Sequence, residues 1–253
     1  MTTLAGTSTG SLAEQAYVAL RDRLIMLDIA PGEPLQEGRL SEELGVGRTP
    51  LREAMKHLEL DHLVVSYPRR GTFATHVDIT ALAAITEVRA ALEPVAVRAA
   101  ARATDPAARA LLEGARSRLE ALTAGGSGTG ASADGGGAAD GGSAAGSADG
   151  DAATSSADGG AADPRAAMRV DIDVHRAIYR AGGNPYLEEG LVRLDNLSTR
   201  IWCMATHRLP DLDSHVTELE VLLDAILAGD ADRAAELISA HVAEFETSIR
   251  KVL

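Results

Sequence analysis

Two pairs of residues in this chain have side chains and spacings suited to binding chemistry. Arg48 and Arg52 stand four residues apart, so on a helix both project from one face, one turn from each other. Asp171 and His175 have the same spacing, and a carboxylate and an imidazole one turn apart can ligate a single divalent ion. The first pair suits contact with phosphates or base edges, and the second suits a metal site.

A predicted helix-turn-helix positions the arginine pair. In QEGRLSEELGVGRTPLR, residues 36–52, a short helix is followed by a turn with two glycines and by a second helix that opens on the arginines. Thr49 is the expected N-cap of the second helix, with Pro50 at the first helical position. A helix that carries arginines at its N-terminal end after a tight turn is typical of a motif that enters the major groove of DNA.

Neighbouring segments complete a predicted winged helix over residues 11–77. SLAE, which starts at Ser11, has the form of a capping box and begins a helix with apolar residues at helical spacing. Pro31, Gly32 and Pro34 predict a loop that ends this helix. Residues 64–67 and 72–75 predict a β-hairpin, the wing, with its turn at residues 68–71.

The following residues, 79–251, predict an antiparallel α-helical bundle, so the predicted fold class is mainly α. Asp-Pro and Asn-Pro pairs start three of its helices. Ligand sites in such bundles lie between facing helices. The predicted helices cover residues 79–102, 106–122, 164–181, 185–207, 214–228 and 231–251.

A low-complexity segment interrupts the bundle at residues 124–163. It contains 13 Gly, 13 Ala and 6 Asp, and it has no apolar side chain larger than Ala. Such a segment cannot bury enough surface to offset the entropy of ordering it, which predicts disorder. We interpret it as an insertion into one domain, because the helices on either side are too few to form separate cores.

Charge and composition limit the class of protein. The net charge is −13, but residues 11–77 carry 8 Lys and Arg against 10 Asp and Glu, so nearly all of the net negative charge lies after Val77. DNA binding must therefore rest on locally clustered arginines. A single cysteine, Cys203, excludes an intrachain disulfide, and the first ten residues lack a signal-peptide pattern. No apolar run is long enough to span a membrane, which predicts a cytoplasmic protein.

Both parts of the chain resemble one protein family. LSEELGVGRTPLREAMKHLELDHLV followed by PRRGTF resembles the winged helix of the GntR family of bacterial transcription regulators. EVRAALEPVAVRAAA, DIDVHRAIYRAGGNP and LLDAILAGDADRAAELISAHV resemble the effector-binding FCD domain of its fatty-acid-regulator branch. The resemblance covers residues 11–122 and 164–250. It implies a homodimer that binds a palindromic operator in double-stranded DNA, most often as a repressor, under the control of a small carboxylate.

The resemblance also assigns contacts with DNA. The matching positions lie at the start of the second helix, Arg48, Thr49 and Arg52, and at the tip of the hairpin, Arg69, Arg70 and Gly71. Arg39, one residue after the position that matches a family contact, is a further candidate. Gly38 and Gly47 stand where relatives often carry contact residues, so the operator sequence does not carry over. An isolated pair of arginines at this spacing is usually a pair of solvated surface charges, and Arg69 and Arg70 could be the charged tip of a hairpin. The turn, the helix start and the wing in one register favour contact with DNA.

The resemblance further implies a metal site from which one ligand is missing. Asp171, His175 and His241 match ligand positions of the family, but Leu219 replaces its remaining histidine, and His215, one turn earlier, is a possible substitute. Two outcomes stay open. The site binds Zn, Ni, Mn or Fe with fewer protein ligands, completed by water or effector oxygens, or it has lost the metal and its side chains bond the effector directly.

Arg89 matches a family position that points toward the carboxylate of the effector. A guanidinium binds a carboxylate through two parallel hydrogen bonds, which gives this role a physical basis. The alternative for Arg89 is a salt bridge to Glu93, four residues later on the same helix.

The leading prediction is therefore a ligand-responsive DNA-binding regulator that is not an enzyme. A second possibility is a regulator for which the metal itself is the signal. A third is a metal-dependent hydrolase in which Asp171, His175 and His241 activate a bound water. No positioned nucleophile and no separate general-base motif supports the hydrolase.

Overall fold

The computed structural model describes residues 10–126, 163–205 and 212–252, which are mainly α-helical, as the sequence predicts. The predicted disordered insertion lies almost entirely outside the described residues. Among the described helices, none combines the length and the apolar run that a membrane crossing requires.

The N-terminal part folds as a winged helix. The Ser11 hydroxyl accepts a hydrogen bond from the Glu14 backbone N–H at 3.2 Å, which confirms the predicted N-cap of the first helix. The predicted hairpin forms with Tyr67 opposite Gly71. The elements are α1 (Leu12–Ile25), β1 (Pro34–Leu35), α2 (Glu37–Leu44), α3 (Arg48–Leu60), β2 (Val64–Tyr67) and β3 (Gly71–Ala74).

Two local predictions in the winged helix are wrong. The segment around Pro34, predicted as a loop, forms β1 and pairs with β3, so the sheet order is β1-β3-β2. A strand of two residues shows no periodicity, and only pairing with a distant segment defines it. The N-cap of α3 is Gly47 rather than Thr49, because Gly47 has extended backbone angles (φ −69°, ψ 164°) and Arg48 already belongs to the helix.

The C-terminal part forms the predicted bundle after a short 3-10 turn at Ile79–Ala81. Side chains before the prolines cap helices as expected: Asp163 accepts from the backbone N–H of Arg165 at 3.0 Å, and Asn184 from that of Tyr186 at 3.1 Å. The helices are α4 (Leu82–Ala101), α5 (Pro106–Gly126), α6 (Pro164–Ala181), α7 (Pro185–Ala205), α8 (Leu212–Leu227) and α9 (Ala231–Val252). α5 is longer than predicted and enters the low-complexity segment.

A shared apolar core joins the two parts. Leu24 and Leu58 from the winged helix belong to the same buried cluster as Met168, Trp202 and Phe245 from α6, α7 and α9. A second cluster fills the remainder of the bundle. Because burial of apolar surface drives this packing, the DNA-binding elements rest directly on the helices that carry the polar residues of the bundle.

Candidate functional site

The N-terminal end of α3 presents an exposed basic face. Arg48 and Thr49 are exposed, and among the described residues the Arg48 guanidinium has no hydrogen-bond or ion-pair partner. Arg52, one turn later, is exposed as well, with its Nε 2.8 Å from Oε2 of Glu37 on α2. The opposite face of α3 is buried through Leu51, Ala54, Met55 and Leu58. The structure therefore places Arg48 and Arg52 outward, as the sequence predicts.

Arg39 is already engaged by an acid of its own helix. Its Nε lies 2.6 Å from Oε1 of Glu43, and the same carboxylate accepts from Arg23 of α1 at 3.0 Å. Contact between Arg39 and DNA would therefore have to compete with Glu43.

The tip of the wing carries the other predicted contacts. Arg69, Arg70 and Gly71 are exposed, and the Arg70 guanidinium lies 6.0 Å from the centre of the Tyr67 ring. Gly71 has a φ of +96°, which a residue without Cβ adopts at little cost, so the tight turn depends on this glycine. The turn holds both arginines at the far end of the hairpin.

Inside the bundle, four side chains from three helices form a group that we call the acid–histidine cluster. Asp171 and His175 lie on α6, His215 on α8 and His241 on α9. Asp171, His175 and His241 are buried, and each offers a ligand atom within 4.8 Å of the other two. His175 Nδ1 donates to the backbone carbonyl of Asp171 at 3.1 Å, which leaves Nε2 as the ring nitrogen that can bind a ligand.

His215 reaches the cluster, and Leu219 does not. His215 Nε2 lies 2.8 Å from Asp171 Oδ1, and its ring centre is 4.5 Å from that of His241. Leu219 is buried in the apolar core of the bundle. Glu218 also approaches, with Oε2 accepting from His241 Nδ1 at 3.0 Å. Glu218 is not among the residues predicted from the sequence, although its i+3 spacing from His215 places both on one face of α8.

The protonation states of the cluster follow from burial and from the charges it encloses. Burial lowers the pKa of His241 to about 4, an effect that His215 and His175 increase. Burial would raise the pKa of Asp171, but His175 and a hydrogen bond from His215 outweigh it, so the carboxylate stays ionised. For His175, burial is outweighed by the carboxylates of Asp171 and Glu93, which raise its pKa.

Arg89 lies beside the cluster in a buried polar network. Its Nε is 2.5 Å from Oε1 of Glu93, and a second guanidinium nitrogen donates to Ser198 Oγ at 2.8 Å. Asp195 Oδ1 is 3.8 Å away. The salt bridge to Glu93 that the sequence left open is therefore formed. No sequence pattern indicates Ser198 or Asp195 as neighbours of Arg89, because their approach depends on the packing of α7 against α4.

Several buried polar atoms around this network have no hydrogen-bond partner among the described residues. They are Glu93 Oε2, His175 Nε2, Tyr179 OH and Asp195 Oδ2. Leaving a buried polar atom unsatisfied is costly, so these atoms favour a polar ligand at this position. His175 Nε2, 3.9 Å from Glu93 Oε2, connects them to the acid–histidine cluster.

The residues present fit a divalent metal ion. Asp171 supplies an ionised carboxylate and His241 a neutral imidazole, which are the forms that bind metals. The hydrogen bonds of the ligands fit as well, because His241 and His175 each donate their Nδ1 hydrogen to an oxygen, which orients the ring and leaves Nε2 for a ligand bond.

Comparison with known families agrees with this architecture. The model for bacterial regulatory proteins of the gntR family matches residues 12–74, and the FCD domain model matches residues 143–244. The fold resembles that of the E. coli protein McbR/YncC with a TM-score of 0.70, at 20% sequence identity, over 96% of this chain and 98% of that one.

Curated relatives are regulators of the helix-turn-helix type. An uncharacterized regulator from an unstable DNA locus of Streptomyces ambofaciens is 36% identical over 91 residues, 36% of this chain and 39% of its own length. The repressor RspR of E. coli K12 is 34% identical over 38% of this chain and 43% of its own length. The chain thus spans less than half the length of these two relatives.

Coverage is greater for an uncharacterized regulator from the TAR-I ttuE-ttuC' intergenic region of Agrobacterium vitis. It is 32% identical over 126 residues, which make up 49% of this chain and 74% of that protein. With the winged helix, the bundle and both family models in the same order, the chain belongs to the GntR family of bacterial regulatory proteins and carries an FCD domain.

Proposed function

We propose that this chain is a ligand-responsive, sequence-specific DNA-binding regulator that acts as a repressor. One observation carries the proposal: the exposed basic end of α3 and the acid–histidine cluster are joined by a single apolar core. Arg48, Thr49 and Arg52 would enter the major groove, and Arg69 and Arg70 would contact phosphates beside it. The E. coli relative RspR is named a repressor, which supports repression rather than activation.

We further propose that the regulator is a homodimer formed through α4. One face of this helix exposes Ala84, Val88, Ala91 and Val95, which recur at helical spacing. Val88 and Val95 are 43% and 54% exposed, although the opposite face of α4 is buried in the bundle. A matching helix of a second copy would cover this apolar stripe, and a two-fold dimer reads a palindromic operator.

The proposed effector site is the acid–histidine cluster. A Zn, Ni, Mn or Fe ion would be held by Asp171, His175 and His241. His215 would take the place of the family histidine that is Leu219 in this chain. When bound, the ion supplies a Lewis-acidic centre to which an oxygen of a small carboxylate can bind. Arg89 can join that contact only by exchanging the carboxylate of Glu93 for that of the effector, because Glu93 and Ser198 engage its guanidinium.

A regulator that senses the metal alone is the second candidate. The observation that favours it is the position of His215, whose Nε2 lies 2.8 Å from Asp171 Oδ1, beside the three ligands Asp171, His175 and His241. If His215 joined them, four protein ligands would hold a zinc ion without an effector oxygen. DNA affinity that responds to zinc in the absence of any carboxylate would support this candidate over the organic-acid sensor.

A gel-shift and footprinting experiment tests the main proposal. The full chain is incubated at low salt with the DNA upstream of its own gene, with and without zinc, a chelator and a panel of small carboxylates. We expect a protected palindrome, weakened binding by Arg48→Ala, and an affinity that changes with at least one ligand. Failure to bind any fragment, with Arg48→Ala behaving as the wild type, would contradict DNA regulation.

A further inference from the structure

Arg200 is a buried cation between the winged helix and the bundle. It is only 2% exposed, and no ion pair among the described residues includes its guanidinium. Instead, two of its nitrogens donate to the hydroxyl and the backbone carbonyl of Thr75, each at 2.6 Å. A buried guanidinium held only by neutral acceptors is unusual, because buried charges are normally paired.

Thr75 connects the two elements that face DNA. It directly follows β3 of the wing, and its backbone N–H donates to the carbonyl of Leu63 at 3.0 Å. Its hydroxyl donates to the carbonyl of His62 at 2.8 Å, in the turn that follows α3. Arg200 therefore contacts a residue that links the base of the wing to the turn after α3.

The same helix contacts the acid–histidine cluster through Trp202. The ring centre of Trp202 lies 4.3 Å from that of His215, with the two rings nearly perpendicular. Trp202 is buried and also packs edge-on against Phe245 at 5.4 Å. Because residues two apart on a helix point about 200° apart, α7 has the cluster on one side and Thr75 on the other.

We propose that α7 transmits the state of the acid–histidine cluster to the DNA-binding elements, with Trp202 as the contact to the cluster and Arg200 as the contact to Thr75. The inference rests on the proposed ligand site. A metal ion bound by His215 and Asp171 would replace the 2.8 Å hydrogen bond between them, and any change in the position of the His215 ring reaches Trp202, whose ring centre is 4.3 Å away. The strength of the two Arg200 hydrogen bonds depends steeply on distance and angle, so a small shift of α7 weakens or strengthens the contact with Thr75.

A fluorescence and DNA-binding experiment on the full chain tests this relay. Trp202 is the only tryptophan of the sequence, so intrinsic tryptophan fluorescence reports on the environment of Trp202, which includes the His215 ring. Titration with zinc alone, in the presence of the upstream DNA, should change the fluorescence and the DNA affinity over the same zinc range. Couplings between sites commonly reach about 5–150-fold, and we expect the wild-type affinity to change within that range.

Thr75→Val removes the hydroxyl while keeping the shape of the side chain, and Thr75→Ser keeps the hydroxyl as the matched control. Thr75→Val should retain the zinc-dependent fluorescence change and lose most of the zinc effect on DNA affinity, whereas Thr75→Ser should behave as the wild type. Arg200→Lys, which keeps the charge and loses the planar fork, should resemble Thr75→Val.

The possible failures are distinguishable. A wild type that binds DNA but shows neither a fluorescence change nor an affinity change with zinc would overturn the metal site, and the relay with it. A wild type that responds in both measurements, together with Thr75→Val and Arg200→Lys variants that keep the full zinc effect on DNA affinity, would overturn the relay and leave the proposed site intact.

Discussion

The Nε atom of Arg52 lies 2.8 Å from Oε2 of Glu37, so α3, the proposed recognition helix, is linked to α2 through a residue that we propose contacts DNA. The two side chains are 63% and 35% exposed, and an exposed pair of this kind contributes little to folding. Its effect concerns recognition, because Arg52 is held in place and partly neutralised before DNA arrives. Arg48 has no such partner among the described residues and presents its full charge.

Arg48→Ala should weaken binding to the operator without changing the thermal midpoint of unfolding. An arginine that contacts a base edge contributes about 1–3 kcal/mol, which corresponds to roughly 5–150-fold in affinity. Gel-shift titration and a thermal melt measure the two quantities. Arg109→Ala, which changes an exposed arginine of α5, is the control, and an equal loss of affinity in both variants would refute a specific contact.

Arg69→Ala and Arg70→Ala should each weaken binding by a similar factor on specific and unrelated DNA. A phosphate contact carries no sequence information, and each lost contact should reduce the slope of log affinity against log salt concentration by about 1. Affinities measured across a salt series give this slope. An unchanged slope would show that the wing arginines remain in solvent.

His215→Ala should lower the affinity for zinc by at least about tenfold, since even outer-shell partners of metal ligands commonly contribute that much. Isothermal titration calorimetry of the full chain measures the affinity directly. His57→Ala removes an exposed histidine of α3 and serves as the control. Equal zinc affinity in the wild type and in His215→Ala would show that a metal, if bound, does not use α8.

Glu93→Ala should destabilise the fold by about 3–5 kcal/mol, because it leaves the buried guanidinium of Arg89 without its closest anion. Chemical denaturation gives the free energy of unfolding. Glu113→Ala is a matched control, since it breaks an Arg–Glu pair of the same i,i+4 spacing that is exposed on α5. It should cost less than about 1 kcal/mol. Similar losses in both variants would mean that burial does not govern the Arg89 network.

Val88→Glu should convert a dimer into a monomer, because it introduces a charge into the proposed apolar contact of α4. Sedimentation or light scattering gives the mass of the particle, and DNA binding should weaken in parallel. The same substitution at Val18, an exposed valine of α1, controls for the added charge. Retention of the dimer by Val88→Glu would place the interface elsewhere.

Local signals in the sequence account for most of the fold. Asp163 and Asn184 precede prolines and cap helices, so the starts of α6 and α7 could be predicted within a residue. The N-cap of α3 was predicted two residues late, because Thr49 is the better capping residue but the extended backbone of Gly47 decides where the helix begins. β1 was missed because it exists only through pairing with β3.

The sequence predicts which residues of a candidate site lie close together only where they belong to one local motif. Asp171 and His175 share one helix face, so their proximity follows from spacing. Asp195 and Glu218 could not be found as readily, because their positions beside Arg89 and His241 depend on how α7 and α8 pack. The contact between Arg200 and Thr75, 125 residues apart in the chain, has no sequence signal.

Asp61, the residue that ends the recognition helix, accepts hydrogen bonds from Tyr17 of α1 at 2.6 Å and from Arg193 of α7 at 3.2 Å. The far end of α3 is thereby fastened to the bundle. In a dimer held together by its bundles, the distance between the two copies of α3 is therefore fixed. Inserting about 5 base pairs, half a turn of DNA, between the half-sites should then abolish simultaneous binding of both.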